Sequence, residues 1–199
     1  MSEELIPHQH TGGESNTEAH KRFDDENSAS AFYEEVKQRL LNVNSWHQWA
    51  GKGSATFQLT DPQGNTVQRS AQEGDHFKID IPGPGTQTGE GYDWVQIEKI
   101  EEERGEGESI TIKVRPTTNP NNAKEDVAHF FADDATSSFQ VRREGTKVIA
   151  AVYGRNEKPN TKAEGVMDKI RNVAIAAGAI SGGSKLQWKS LVEGLVSNA

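Results

Sequence analysis

Apolar residues recur at spacings of four, four and three in "NSASAFYEEVKQRLLNV", at Phe32, Val36, Leu40 and Val43. That period puts them on one stripe of an α-helix, flanked by Tyr33 and Leu41. Ser28 or Ser30 is the expected N-cap, with Glu34 and Glu35 near the positive end of the macrodipole. "NSWHQWAG" follows as a short helical turn carrying Trp46 and Trp49 on one side and ended by Gly51. Past Gly53 the period drops to two. Ala55, Phe57 and Leu59 alternate with Thr56, Gln58 and Thr60, and Phe77, Ile79 and Ile81 alternate in the same way. "YDWVQIEKIEEE" and "ESITIKVRP" continue the pattern across "RGEGE", and "SSFQVRREGTKVIAAVYGRN" reads as a hairpin closed at its "EG". Such alternation marks half-buried strands, and short links make them antiparallel; about six are expected. The period lengthens again at Val166, Ile170, Val173 and Ala177, with Met167 and Ala174 widening the stripe. The Gly182-Gly183 pair is expected to kink or break this helix before Leu186, Trp188, Leu191 and Leu195 resume it.

These elements imply an α+β fold in which a curved antiparallel sheet wraps around a long C-terminal helix. A sheet apolar on one face must be covered, and the amphipathic helix that follows it is the available cover. The space between them is filled by side chains or left for a ligand. Residues 28–199 form the expected single domain. Residues 1–27 hold little beyond Leu5, Ile6 and Phe23 to bury, so they read as a flexible polar tail. The polar insertion "TTNPNNAKEDVAHFFADDA" is expected to be exposed, with a helical turn around "EDVAHFF".

Composition narrows the function. A formal net charge of −8 disfavours nucleic acid and anionic membrane surfaces, whose phosphates call for Lys and Arg. Arg142 and Arg143 are the best local basic pair, but strand alternation sends them to opposite faces. The absence of cysteine removes disulfides, thiolate metal sites and cysteine nucleophiles, and fits a cytoplasmic protein. No secretory signal and no apolar run of membrane-spanning length is visible.

The stretch "IPGPGTQTGEG" raises the question of phosphate binding, yet no lysine follows its glycines and the next element reads as a strand. Both the P-loop and the dinucleotide-fold spacings fail. Gly83, Pro84 and Gly85 are instead a strand-joining loop and a candidate lid. His8 and His10 are read as solvated, so no metal is expected. His47, His76 and His129 are read as surface residues, and the acidic run "EKIEEERGEGE" lacks a calcium-loop pattern. No cofactor and no catalytic residue can be named from this pattern.

Three stretches together resemble a known group: "FYEEVKQRLLNVNSWHQWAG", "EGDHFKIDIPGPG", and the Trp94 strand with the closing hairpin and C-terminal helix. Their order is similar to that of the helix-grip superfamily, which takes in START lipid-transfer domains, the birch pollen allergen family and polyketide cyclase-like proteins (SRPBCC). Trp46 and Trp49 match its W-x-x-W segment, and Gly74, Asp75 and Phe77 match its G-D-x-F strand start. The resemblance covers residues from about 30 to 197 and rests on element order more than on identities. One departure stands out. The family begins with a strand, and only "ELIPHQH" is a weak candidate for one here, which leaves an exposed sheet edge.

The resemblance implies an apolar or amphipathic small molecule, lipid- or polyketide-like, held between sheet and helix. The expected lining is Trp46, Trp49, Phe57, Phe77, Trp94, Phe139, Tyr153, Met167 and Ile170. A cyclase- or hydrolase-like enzyme on the same scaffold is the alternative, and an interaction module with a filled core is another. Binding ranks above catalysis because the sequence offers no inward-facing ionisable pair. A monomer or weak homodimer is expected.

Overall fold

The computed structural model describes residues 4–51, 54–81, 89–105, 107–122, 126–161 and 183–198. Seven antiparallel strands form one sheet: β1 (Gly13–Arg22), β2 (Thr56–Thr60), β3 (His76–Asp80), β4 (Asp93–Arg104), β5 (Glu108–Pro116), β6 (Thr136–Glu144) and β7 (Lys147–Glu157). They lie in the order β1-β7-β6-β5-β4-β3-β2. Between β1 and β2 come α1 (Glu26–Leu41), a 3-10 turn (Val43–Ser45) and α2 (Trp46–Ala50). The chain closes with α3 (Gly183–Leu195). The α+β, helix-grip arrangement expected from the element order is the one observed. The stretch from Val166 to Ala177 lies outside the described residues.

The seventh strand is the main correction. Residues 13–22 pair along almost the whole of β7, from Gly13 opposite Glu157 to Arg22 opposite Lys147. The expected tail is therefore an edge strand over that span, and "ELIPHQH" is not the strand. Polarity misleads here because strand pairing satisfies backbone groups whatever the side chains are. Residues 9–11 also dock. The Asn156 Oδ1 accepts from the His10 and Thr11 amides at 2.9 and 3.2 Å, and the Asn156 amide donates to Gln9 Oε1.

α1 starts one turn earlier than expected. Asp25 is its N-cap, accepting from the Ser28 amide at 2.9 Å. Ala29, Phe32, Tyr33, Val36 and Leu40 are buried on the sheet-facing stripe, and α1 packs on β6 and β7. The inner face of the sheet supplies Phe57, Leu59, Phe77, Ile97, Ile112, Phe139 and Val141 to the same core. Trp46 fills its centre, fully buried, with its indole N–H donating to the Leu40 carbonyl at 2.9 Å.

α3 is fastened by Arg39, itself buried. Its guanidinium donates to the Leu195 and Ser197 carbonyls at 2.6 and 2.8 Å, where the helix ends with unsatisfied acceptors and a negative dipole. The same guanidinium stacks 4.2 Å from the Trp49 ring. Arg142 and Arg143 are both neutralised by carboxylates, Arg142 by Glu18 and Glu144 and Arg143 by Glu108. Among the described residues no helix is long and apolar enough to cross a membrane.

Candidate functional site

A cavity of about 50 Å³ lies between the inner face of the sheet and the first turns of α3. Phe77 and Ile79 of β3, Val95 of β4, Val114 of β5 and Phe139 of β6 form its apolar floor. Gln187 and Trp188 line it from α3. The Trp188 ring meets Phe139 edge-on, with centroids 5.2 Å apart, and lies 6.2 Å from Phe57.

The remaining wall comes from the connection between β5 and β6, and it is not the exposed helical turn expected there. Residues 126–131 form an irregular segment stitched in on both sides. The Trp94 amide donates to the Ala128 carbonyl at 2.7 Å, and Asp93 Oδ1 accepts from the Phe130 amide at 2.9 Å. On the other side the Asn160 side chain donates to the Val127 and His129 carbonyls. This holds His129, Phe130 and Phe131 against the cavity.

His129 is thus a buried residue rather than a surface one. Its Nδ1 accepts from the Phe131 amide at 2.9 Å, so in the neutral ring the proton sits on Nε2 and that nitrogen is a donor. His76 is buried as well, and burial pushes its pKa below the ordinary imidazole value. It does not line the cavity.

Glu157 is the least expected member of the wall. It is only 4% exposed, and Ser15 Oγ donates to its Oε1 at 3.1 Å. In β7, Val148, Ala150 and Val152 face the core, so strict alternation would turn position 157 outward. A bulge reverses this. Two steps on β1, Gly13 to Ser15, match three steps on β7, Gly154 to Glu157. Asn156 absorbs the extra residue with φ at +57°, a conformation Asn tolerates better than most residues. Burial pushes the Glu157 carboxyl above the ordinary carboxylate range, against weaker opposing effects from Ser15 and Arg155.

That shift has a measurable consequence for stability. A carboxyl whose folded pKa is raised contributes stability that is full below the unfolded value, near 4.5, and lost as pH rises through the folded value. Glu157→Gln removes this loss. The variant is expected to gain about 1 kcal/mol at about pH 8 and nothing at about pH 4, read from thermal melts at the two pH values.

Of the residues expected to line a pocket, the structure brings Phe77 and Phe139 to the cavity. Trp46 and Phe57 lie behind them in the core, with the Trp46 ring 5.6 Å from Phe77 and 4.7 Å from Phe139. Trp49 packs under Arg39. Trp94 and Tyr153 sit on the outer face. Trp94 alternates with the inward Val95 and donates its indole N–H to the Gly89 carbonyl, while the Tyr153 hydroxyl accepts from Arg142. Met167, Ile170, Gly83, Pro84 and Gly85 lie outside the described residues. Among the described residues no group of three or more His, Cys, Asp or Glu is placed to hold a metal ion.

Helices between the first two strands, a seven-stranded antiparallel sheet and a C-terminal helix laid across its inner face define a helix-grip fold. Among solved structures, a hypothetical protein of Helicobacter pylori is similar over 92% of this chain and 87% of its own, at 13% identity and a TM-score of 0.50. Ara h 8.0201 matches over 94% of this chain and all of its own, at 12% identity and a TM-score of 0.38. Truncated norcoclaurine synthase from Thalictrum flavum matches over 96% and 99%, at 9% identity and a TM-score of 0.40. The last two are birch-pollen-allergen-like proteins. At such identities the likeness concerns the fold alone. No family model and no curated protein matches the chain.

Proposed function

We propose that this protein binds a small amphipathic molecule in the cavity beneath α3. The observation that carries this reading is an apolar chamber whose wall includes two buried ionisable side chains, His129 and Glu157. Apolar walls with a few placed polar groups are the usual make-up of a small-molecule site. Phe77, Val95, Val114 and Phe139 take the ligand's body, and the polar side chains orient its head.

Size bears on the ligand. A cavity of about 50 Å³ holds a few water-sized volumes, well short of the several hundred Å³ typical of drug-sized ligands. A lipid- or polyketide-like body therefore requires Trp188 and Gln187 to swing aside. Titration with a fluorescent apolar probe is expected to saturate at one site. Trp188→Ala is expected to tighten that binding roughly tenfold by opening the roof, and Val114→Trp to abolish it by filling the floor. Lack of a saturable site in both the natural chain and Trp188→Ala would end this reading.

A second reading, acid–base catalysis on the bound molecule, draws on the same two side chains. Turnover of a retained ligand, followed by mass spectrometry, separates catalysis from binding.

A further inference from the structure

We infer that Glu157 is a ligand anchor and that the molecule it holds carries an ammonium group on a small apolar body. This rests on the cavity-binding reading and deepens it. The first support is the way the chain places this carboxyl. A bulge and a left-handed residue, Asn156, are both needed to turn it from the outer face into the cavity. The second support is the niche made for it. A Cβ on Gly154 would overlap both Glu157 Oε1 and Ser15 Oγ, so only glycine leaves room for the carboxyl and its hydroxyl partner. Three features converge on one oxygen pair, in a wall otherwise lined by aromatic and aliphatic side chains.

The third support is what the carboxyl lacks. Among the described residues no cation forms an ion pair with Glu157. Arg155, the nearest in charge, is committed elsewhere. Its Nη1 donates to the Ser15 and Gly154 carbonyls and to Asn16 Oδ1, and its Nη2 pairs with Glu14 at 3.5 Å. A carboxyl taken out of water with, among the described residues, one hydroxyl partner is costly unless an opposite charge joins it.

Ligand chemistry follows from that deficit. An ammonium group supplies both the missing charge and several donors, giving a charge-assisted hydrogen bond. A neutral hydroxyl only exchanges one hydrogen bond with water for another. A carboxylate would meet like charge, in a protein whose formal net charge of −8 already favours cations. The Nε2 donor of His129 does not compete for the ammonium protons, because it has none of its lone pairs to offer in that tautomer.

The test is calorimetric titration of the full chain at about pH 8 with benzylamine, benzyl alcohol and benzoate, three probes sharing one apolar body. Benzylamine is expected to bind at least roughly tenfold tighter than benzyl alcohol, with benzoate weakest. Glu157→Gln is expected to weaken benzylamine roughly tenfold and to leave benzyl alcohol within about twofold. Gly154→Ala, which displaces the carboxyl without replacing it, is expected to lose the same preference. Equal binding of amine and alcohol, or an amine preference that survives Glu157→Gln, overturns the inference. If all three probes fail while the fluorescent apolar probe still saturates, the amine inference falls and the cavity reading stands. If that probe also fails, both fall.

Discussion

Trp46→Ala is expected to destabilise the protein by about 4 kcal/mol, measured by denaturant unfolding. The indole is fully buried and sits at the centre of an aromatic cluster, with ring centroids 5.4 Å from Phe57, 5.6 Å from Phe77 and 4.7 Å from Phe139. Its removal leaves a void that rigid neighbours on three different strands cannot close. The Leu40 carbonyl also loses the donor it has at 2.9 Å, which adds about 1 kcal/mol. Trp46→Phe keeps the aromatic contacts but loses the N–H together with part of the indole volume; an intermediate cost of about 2 kcal/mol is expected. Because Phe77 and Phe139 also form the cavity floor, the void opens toward the ligand chamber. A loss below about 1 kcal/mol for Trp46→Ala would mean that the cluster is not packed as described.

The elements of this fold that buried an apolar stripe were legible in the chain. The spacing of Phe32, Val36 and Leu40 located α1, and the alternation in "ESITIKVRP" located β5, whose Ile110, Ile112 and Val114 the structure turns to the core. β1 was not legible, because "GESNTEAHKR" alternates between half-buried and exposed positions with Ala19 its one apolar side chain, too little to mark a face. Its position comes from backbone pairing with β7, information that lies in the partner strand.

Site residues failed to show for related reasons. "DWV" in β4 and "VIAAV" in β7 are buried on both faces, so a period of two cannot say which side faces the cavity. Aromatic character alone suggests an inward Trp94 and Tyr153, and the parity of their neighbours Val95 and Val152 places them outward. Glu157 was hidden by the bulge, since alternation extrapolated from Val152 points the wrong way. The available hint was chemical: Gly154 and Asn156 are residues that tolerate unusual backbone geometry, and they stand together just before an acid. His129 was hidden by its polar surroundings in sequence, which the Asp93 and Asn160 side chains convert into a hydrogen-bonded wall.

Gly194→Ala provides a second large effect, and its sign runs against helix propensity. In an open helical site the change would stabilise by about 1 kcal/mol. Gly194 is not open. A Cβ there would overlap the Trp49 carbonyl oxygen and stand 2.6 Å from the carbonyl carbon, both backbone atoms at the end of α2. Neither can rotate away as a side chain could, so α3 must lift from α2. The lift strains the Arg39 contacts to the Leu195 and Ser197 carbonyls and shifts the roof residue Trp188 on the same helix. A net loss of about 3 kcal/mol is therefore expected, with Ser190→Ala on the exposed face of α3 as a control within about 0.5 kcal/mol. The expected companion result is weaker saturable binding of the apolar probe, because the cavity is closed by the placement of α3 and not by the chemistry of residue 194. Stabilisation by Gly194→Ala would show that α3 does not approach α2 so closely, and the account of how the cavity is roofed would go with it.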